Sequence, residues 1–249
     1  MVWMPIWRRG SIVKPLAPFA ANCNVAPGTK GASSCRKNRL LSCGAGGKGT
    51  PPERSSAIVR GLLERNGFEV CVENSTTAYA DPAIAGFDLI VPMVTMSTIE
   101  RHEVENLCAA VKGGVGLGGF HGTMCDAFRN ETEYQFMTGG QWVSHPGNIT
   151  DYRVNIARND DPIMQGVGDF DYHSEQYYMH VDPANEVLAT TTFSGEHCDW
   201  AKGVVMPVVW KKIYGKGRVF YSALGHTADE FAVKEMATIV ERGLVWAAR

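Results

Sequence analysis

The chain has 249 residues, of which 45% are hydrophobic and 20% charged, and this composition is sufficient to bury one sizeable α/β core. No apolar run approaches the length that crosses a membrane, so we expect no membrane partner. The seven cysteines are scattered and include no Cys-x-x-Cys pair. This pattern favours the reduced thiols of a cytoplasmic protein over a disulfide framework.

Charge is unevenly distributed along the sequence. Residues 1–50 contain eight Lys or Arg and no Asp or Glu, whereas residues 51–249 contain 16 basic and 26 acidic residues, a formal charge of −10. An acidic main part without a basic stripe argues against a nucleic-acid partner. The acid-free start is typical of a transit peptide, and four prolines interrupt any regular period in it. We therefore predict an irregular N-terminal extension over residues 1–37 and a single folded domain over residues 38–249.

The hydrophobic pattern from residue 51 onward alternates between helices and strands. Apolar residues at three- and four-residue spacing predict helices, and short continuous apolar runs predict strands buried on both faces. The predicted elements, in chain order, are a helix from Pro51 to Asn66, strands at 68–72 and 87–92, a helix at 99–111, a strand at 114–120, an irregular aromatic-rich stretch at 136–178, strands at 187–193, 204–211 and 218–224, and a helix at 231–247. This alternation predicts a three-layer α/β sandwich.

The most informative segment is Gly114–Phe128, an apolar run that ends at His121 and leads into a predicted helix. A strand that ends in a sharp turn presents one side chain at the carboxyl edge of the sheet, where open α/β folds bind ligands. In nucleophile-elbow enzymes that position holds Ser or Cys, whereas imidazole serves more often as acid, base or metal ligand. Cys125 lies about one helical turn further on and is interpreted as a packed small hydrophobe.

Two further polar groups are candidates for the same site. His226 directly follows the predicted last strand, so we expect it at the same edge as His121. Glu175 lies among tyrosines and histidines, where a carboxylate is costly to bury unless it functions. In an extended segment His173 and Glu175 point to one face, and the neighbouring tyrosines offer the kind of surface that stacks on sugar rings. We predict His121, Glu175 and His226 as catalytic groups around one cavity, and as substrate-binding residues His145, His173, Tyr177, Tyr178 and His180.

Each candidate also has a purely structural interpretation. His121 could cap the following helix, His226 could be a surface loop residue, and Tyr178 could fill the core. His121, Glu175 and His226 offer ligand types that suit zinc or another divalent metal, but their spacing in the sequence neither supports nor excludes one. The cofactor is therefore left unassigned.

Three long segments carry a family resemblance. They are GGFHGTMCDAFRNETEYQFMTGGQWVSHPGNITDY, DDPIMQGVGDFDYHSEQYYMHVDPANEVLATTTF and VVMPVVWKKIYGKGRVFYSALGH, and through them residues 52–249 resemble the trehalose-utilisation (ThuA-like) family. The resemblance implies a flavodoxin-like, doubly wound and mostly parallel sheet, as in class I glutamine amidotransferases. It also implies a role in the bacterial catabolism of trehalose or related disaccharides and keto-sugars, with a small-molecule carbohydrate as partner.

The comparison with amidotransferases excludes one activity and leaves two classes of function. A glutaminase requires a Cys at the elbow, which here is His121, so glutaminase activity is not expected. The first class is a sugar-directed enzyme that uses acid/base or metal-assisted chemistry. The second is a non-catalytic carbohydrate-binding protein on the same fold, with the aromatic residues as a stacking surface.

The sequence departs from the family pattern near its start. ThuA-like proteins usually open with a strand and the loop GGWxGHxPE, whose His joins the pocket, whereas the corresponding stretch Leu41–Glu53 lacks both Trp and His. One choice of synonymous codons for residues 41–52, read two bases later, spells LVWGGWQGHTP. Our hypothesis is a single-base frameshift near Pro51 or Pro52, so that the residues before it are an out-of-frame translation. Resequencing of the gene decides this, because an unbroken frame without the shifted motif contradicts it.

Overall fold

A mixed sheet flanked by helices organises the part of the chain that the structure describes. The computed structural model describes residues 36–42 and 52–249, which belong to one unit spanning Ser33–Arg249. The predicted N-terminal extension over residues 1–37 lies outside the described residues, except for its last two residues, which begin the first strand. Of the stretch Leu41–Glu53, which departs from the family pattern, residues 43–51 also lie outside them.

The described residues form strands, α-helices and a few short 3₁₀ turns. The elements are β1 (Arg36–Ser42), α1 (Pro52–Arg65), β2 (Phe68–Glu73), β3 (Leu89–Met93), α2 (Arg101–Gly113), β4 (Gly116–Phe120), α3 (Gly122–Cys125), α4 (Thr132–Thr138), β5 (Gly140–Ser144), β6 (Ile149–Ile156), β7 (Phe170–Glu175), β8 (Tyr178–Val181), β9 (Glu186–Thr192), β10 (Val205–Tyr214), β11 (Gly217–Ser222) and α5 (Lys234–Ala247). None of these described helices is both long and apolar enough to cross a membrane.

Nine strands form the main sheet of the described part, in the order β2-β1-β3-β4-β11-β10-β9-β6-β7. The strands from β2 to β11 pair in parallel, and those from β11 to β7 pair antiparallel. β5 and β8 form a separate antiparallel pair. The parallel part, with helices in the connections, confirms the predicted flavodoxin-like α/β class.

The prediction that residues 136–178 are irregular is wrong. It contains β5, β6 and β7 and the end of α4. Exposed and partly exposed residues occupy much of β6, so it lacks the continuous apolar run of a buried strand. Its register is set by pairing with β7 and β9 rather than by its own hydrophobic pattern, and that pairing is not visible in the local sequence.

The glycine-rich sequence of β4 follows from close packing on both of its faces. A Cβ added at Gly116 would lie 2.1 Å from the carbonyl oxygen of Ala247 in α5, and one added at Gly119 would lie 2.6 Å from the Cβ of Met124 in α3. Every residue of β4 is buried. Small residues therefore let α5 and α3 press against the strand and fix the position at which it ends.

The site lies where three strands end. β4 and β11 are parallel neighbours, so His121 and the segment after Ser222 leave the sheet at the same carboxyl edge. β7 is four positions away from β11 in the pairing order, which corresponds to about 19 Å in a flat sheet with strands about 4.8 Å apart. Its last residue, Glu175, nevertheless lies within 3.3 Å of His226, so the sheet curls and brings β7 back to this edge.

Candidate functional site

His121 occupies a sharp, strained turn directly after β4. Its φ is +46° and its ψ is −144°, a conformation that non-glycine residues rarely adopt and that the surrounding structure must hold. Its N–H donates to the carbonyl oxygen of Ser222 at 2.6 Å, and the Tyr221 hydroxyl donates to the His121 carbonyl oxygen at 3.0 Å. The residue is 5% exposed. The fold therefore fixes this imidazole at the buried end of the elbow.

The Glu175 carboxylate is the centre of the site and faces three histidines. Its Oε2 lies 3.3 Å from Nε2 of His121 and 3.3 Å from Nδ1 of His226. Its Oε1 lies 3.8 Å from Nε2 of His145. The donor atoms of His121, Glu175 and His226 all lie within 4.8 Å of one another. The structure thus brings together the three residues that the sequence singled out as catalytic, and places His145 beside them.

The pKa values of His121 and His226 are shifted in opposite directions within the cluster. Burial opposes the charge of Glu175, but the attraction of His121 and His226 outweighs it and holds the pKa of this carboxyl well below its usual range. Burial lowers the pKa of His121 against the opposing pull of Glu175. The hydrogen bond and charge of Glu175 raise the pKa of His226, which is less buried. Glu175 is therefore an anion at neutral pH.

The two ring nitrogens of His121 have different surroundings. Nδ1 lies 3.0 Å from the Tyr177 hydroxyl, within hydrogen-bond distance. Nε2 is buried and has no aligned hydrogen-bond partner among the described residues, although Oε2 of Glu175 lies close to it. A buried nitrogen without an aligned hydrogen bond is unusual in a native site. It marks Nε2 as the atom that is left for a ligand.

Aromatic rings form one wall beside the cluster. The ring of Tyr177 lies 4.2 Å from that of His121, centroid to centroid. His145 stacks on Tyr177 at 6.3 Å, and Trp142 lies 5.5 Å from His145. The side chains of His145 and His226 are 29% and 23% exposed. Solvent therefore reaches the cluster past these two histidines. Trp142 was missed by the sequence reasoning, since it belongs to the stretch that was predicted to be irregular.

Glu230 was also missed, although it holds the loop that carries His226. Its carboxylate accepts hydrogen bonds from the backbone N–H of His226 at 3.1 Å and of Thr227 at 3.3 Å. It also accepts from Ser174 Oγ at 3.0 Å and from the Tyr172 hydroxyl. The Thr227-x-x-Glu230 spacing is a capping-box signal that the sequence displays. The contacts with β7 link His226 to the strand that ends in Glu175.

The structure does not bring every predicted residue into the cluster. His173 is exposed and its Nδ1 lies 2.7 Å from Asp151, so it does not share the direction of Glu175, which turns inward at the end of β7. His180 is exposed on β8. Tyr178 packs against Phe193 and Trp200 rather than against the histidines. The binding roles of these three residues stay predictions.

Cys125 ends α3, the short helix that follows the elbow. It is 1% exposed, and burial raises the pKa of its thiol far above the ordinary range. The interpretation as a packed small hydrophobe is confirmed. The fold and the histidine elbow thus define an α/β protein that presents an imidazole at the strand-end turn.

Comparison with known proteins places the chain in a family. The family model for trehalose utilisation (ThuA) matches residues 41–247, so the chain belongs to this family. No curated protein matches the sequence.

Solved structures share the fold at low sequence identity. A ThuA-like protein from Bacteroides uniformis is 14% identical with a TM-score of 0.71, over 90% of this chain and 95% of that one. A ThuA-like protein from Parabacteroides merdae is 16% identical with a TM-score of 0.68, over 85% of this chain and 89% of that one. A β-galactosidase from Rahnella sp. R3 is 19% identical with a TM-score of 0.57, over 86% of this chain but 32% of that one. These similarities show the fold alone.

Proposed function

We propose that this chain is a cytoplasmic enzyme of carbohydrate catabolism whose reaction centre is formed by His121, Glu175 and His226. The observation that carries the proposal is the shared carboxylate: one Glu175 side chain lies 3.3 Å from each of two imidazoles that arrive from different strand ends. A structural ion pair needs one partner, whereas a carboxylate ringed by histidines is the arrangement that acid/base and metal-assisted chemistry use.

The surroundings support a sugar as substrate. The family is that of trehalose utilisation, and a wall of Trp142, His145 and Tyr177 stands beside the cluster. Aromatic faces stack on the apolar faces of sugar rings. Partly exposed His145, 3.8 Å from Glu175, is placed to exchange a proton with a hydroxyl or carbonyl oxygen of a bound sugar.

Turnover assays test this proposal. Purified full-length protein is incubated with trehalose, other disaccharides and their 3-keto derivatives, and products are followed by NMR. We expect turnover that Glu175→Gln lowers by more than about 100-fold, since acid/base and electrostatic groups contribute factors of this size. His102→Ala is the matched control, because it removes an exposed imidazole on α2, outside the cluster.

The second candidate function is a non-catalytic carbohydrate-binding protein. The aromatic wall favours it, since stacking needs no chemistry. Titration calorimetry with the same sugars separates the two. Binding without turnover, which Trp142→Ala weakens and Glu175→Gln leaves unchanged, supports the binding protein and contradicts the enzyme.

A further inference from the structure

We propose that His121 Nε2, the Glu175 carboxylate and His226 Nδ1 bind one divalent transition-metal ion, for which zinc is the probe. This inference deepens the proposed function, since it concerns the same three side chains. It rests on two observations, the spacing of the three donor atoms and the lack of an aligned hydrogen bond at one of them.

The spacing of the donor atoms fits a common central ion. Zinc binds imidazole nitrogen and carboxylate oxygen at about 2.0–2.2 Å, so two ligand atoms of a tetrahedral site lie about 3.3 Å apart. Glu175 Oε2 lies 3.3 Å from His121 Nε2 and 3.3 Å from His226 Nδ1. All three donor atoms lie within 4.8 Å of one another. The two distances to Glu175 already match this spacing, and the two imidazole nitrogens would approach each other to close around an ion.

The geometry at His121 Nε2 supplies the second argument. His121 Nε2 is buried, is close to a carboxylate oxygen and still makes no aligned hydrogen bond among the described residues. In the tautomer whose Nδ1–H donates to the Tyr177 oxygen, Nε2 presents its lone pair to the cluster. A ligand imidazole that donates its other N–H to a neighbouring oxygen is the usual outer-shell arrangement of zinc sites. In that tautomer the contact with Tyr177 gives His121 the form of a metal ligand.

The ligand set indicates the kind of ion and its use. Two imidazoles and one carboxylate favour zinc and similar transition metals, whereas calcium and magnesium prefer oxygen ligands. Three protein ligands leave a position for water or substrate, as in catalytic sites. A bound ion there would polarise a sugar oxygen or lower the pKa of a bound water. His145, which lies near Glu175 but outside the three-atom cluster, then keeps its imidazole for proton exchange.

Metal analysis of the full chain tests the inference. The protein is stripped with EDTA, dialysed, loaded with zinc and measured by mass spectrometry for bound metal and by calorimetry for affinity. We expect one zinc per chain at the site, and the affinity to fall by more than about 100-fold in His226→Ala and in Glu175→Ala, since even outer-shell changes cost 10- to 100-fold. His102→Ala, which removes an exposed imidazole on α2, is the matched control and keeps wild-type affinity. Magnesium and calcium compete weakly.

Two further measurements distinguish a loss of the metal site from a loss of folding. Thermal unfolding of the zinc-free variants shows whether they fold, and the absorption bands of bound cobalt report a nitrogen and oxygen ligand field in the wild type that changes in His226→Ala. Failure of the wild type to bind zinc, or equal zinc affinity in folded His226→Ala, overturns the inference. Turnover of a sugar by a wild-type protein that binds no zinc overturns the inference but leaves the proposed enzyme standing. Zinc binding without turnover of any sugar sustains the metal site and removes the enzyme.

Discussion

Glu230 offers a quantitative test of how the site is held together, because its carboxylate joins the His226 loop to β7. Glu230→Ala leaves four donors without their acceptor, two backbone N–H groups and the hydroxyls of Ser174 and Tyr172. Loss of a cap costs about 0.5–2 kcal/mol, and hydrogen bonds to a charged group contribute about 1.5–3 kcal/mol each without being additive. Glu230 is only half-buried, so water can satisfy some of the four donors in the variant. We therefore expect the free energy of unfolding to fall by about 2–4 kcal/mol.

Urea unfolding measures this loss, and zinc affinity measures its effect on the site. His226 loses the anchor of its backbone, so zinc binding should weaken by about 10- to 100-fold, as for other outer-shell partners. Asp229→Asn is the matched control, because Asp229 is the neighbouring carboxylate, is 78% exposed and pairs with Arg54 at the surface. It should change stability by less than about 0.5 kcal/mol. A Glu230→Ala protein as stable as the Asp229→Asn protein would refute the reasoning.

Three further outcomes follow from the structure and the sequence. Gly116→Ala places a Cβ 2.1 Å from a backbone oxygen and should lower the free energy of unfolding in urea by about 1–3 kcal/mol. Gly86→Ala should leave it unchanged, because no atom lies within 4 Å of the added Cβ. Cys125→Ala should keep sugar turnover within about twofold, because a buried, protonated thiol is a poor nucleophile. A loss of more than about 100-fold would instead identify Cys125 as a catalytic nucleophile. Replacing residues 41–51 by LVWGGWQGHTP should tighten sugar binding in calorimetry, and equal affinity would show that the family loop is dispensable.

The central residues of the site could be predicted because a general rule of α/β folds locates them. His121 follows a small-residue strand and His226 follows the last strand, and carboxyl ends of parallel strands meet at one edge. Glu175 could be chosen from the cost of burying a carboxylate among aromatic residues. The sequence therefore indicates the three residues and the edge of the sheet where they lie. The distances between their side chains come from the structure.

What the sequence could not supply depends on contacts between distant segments. A period of two placed His173 and Glu175 on one face, but β7 ends at Glu175, and the chain leaves the main sheet there for β8. The capping-box spacing of Glu230 is local, whereas its contact with Ser174 spans 56 residues. The return of β7 to the site depends on the curl of a nine-stranded sheet. Such curvature arises from the whole sheet and leaves no signal in any one strand.

The elbow explains why this fold can exchange one chemistry for another. The strained backbone at His121 is held by main-chain contacts with Ser222 and a hydroxyl of Tyr221, none of which depends on the His121 side chain. A fold that fixes the backbone in this way presents whatever side chain the position carries. In an amidotransferase the presented group is a nucleophile that needs a distant base. Here the presented group is an imidazole, and Glu175 stands at the distance at which the two can share an ion. The same elbow can therefore be a covalent centre or a ligand of a metal centre, depending on one residue and on the carboxylate that the curled sheet brings to it.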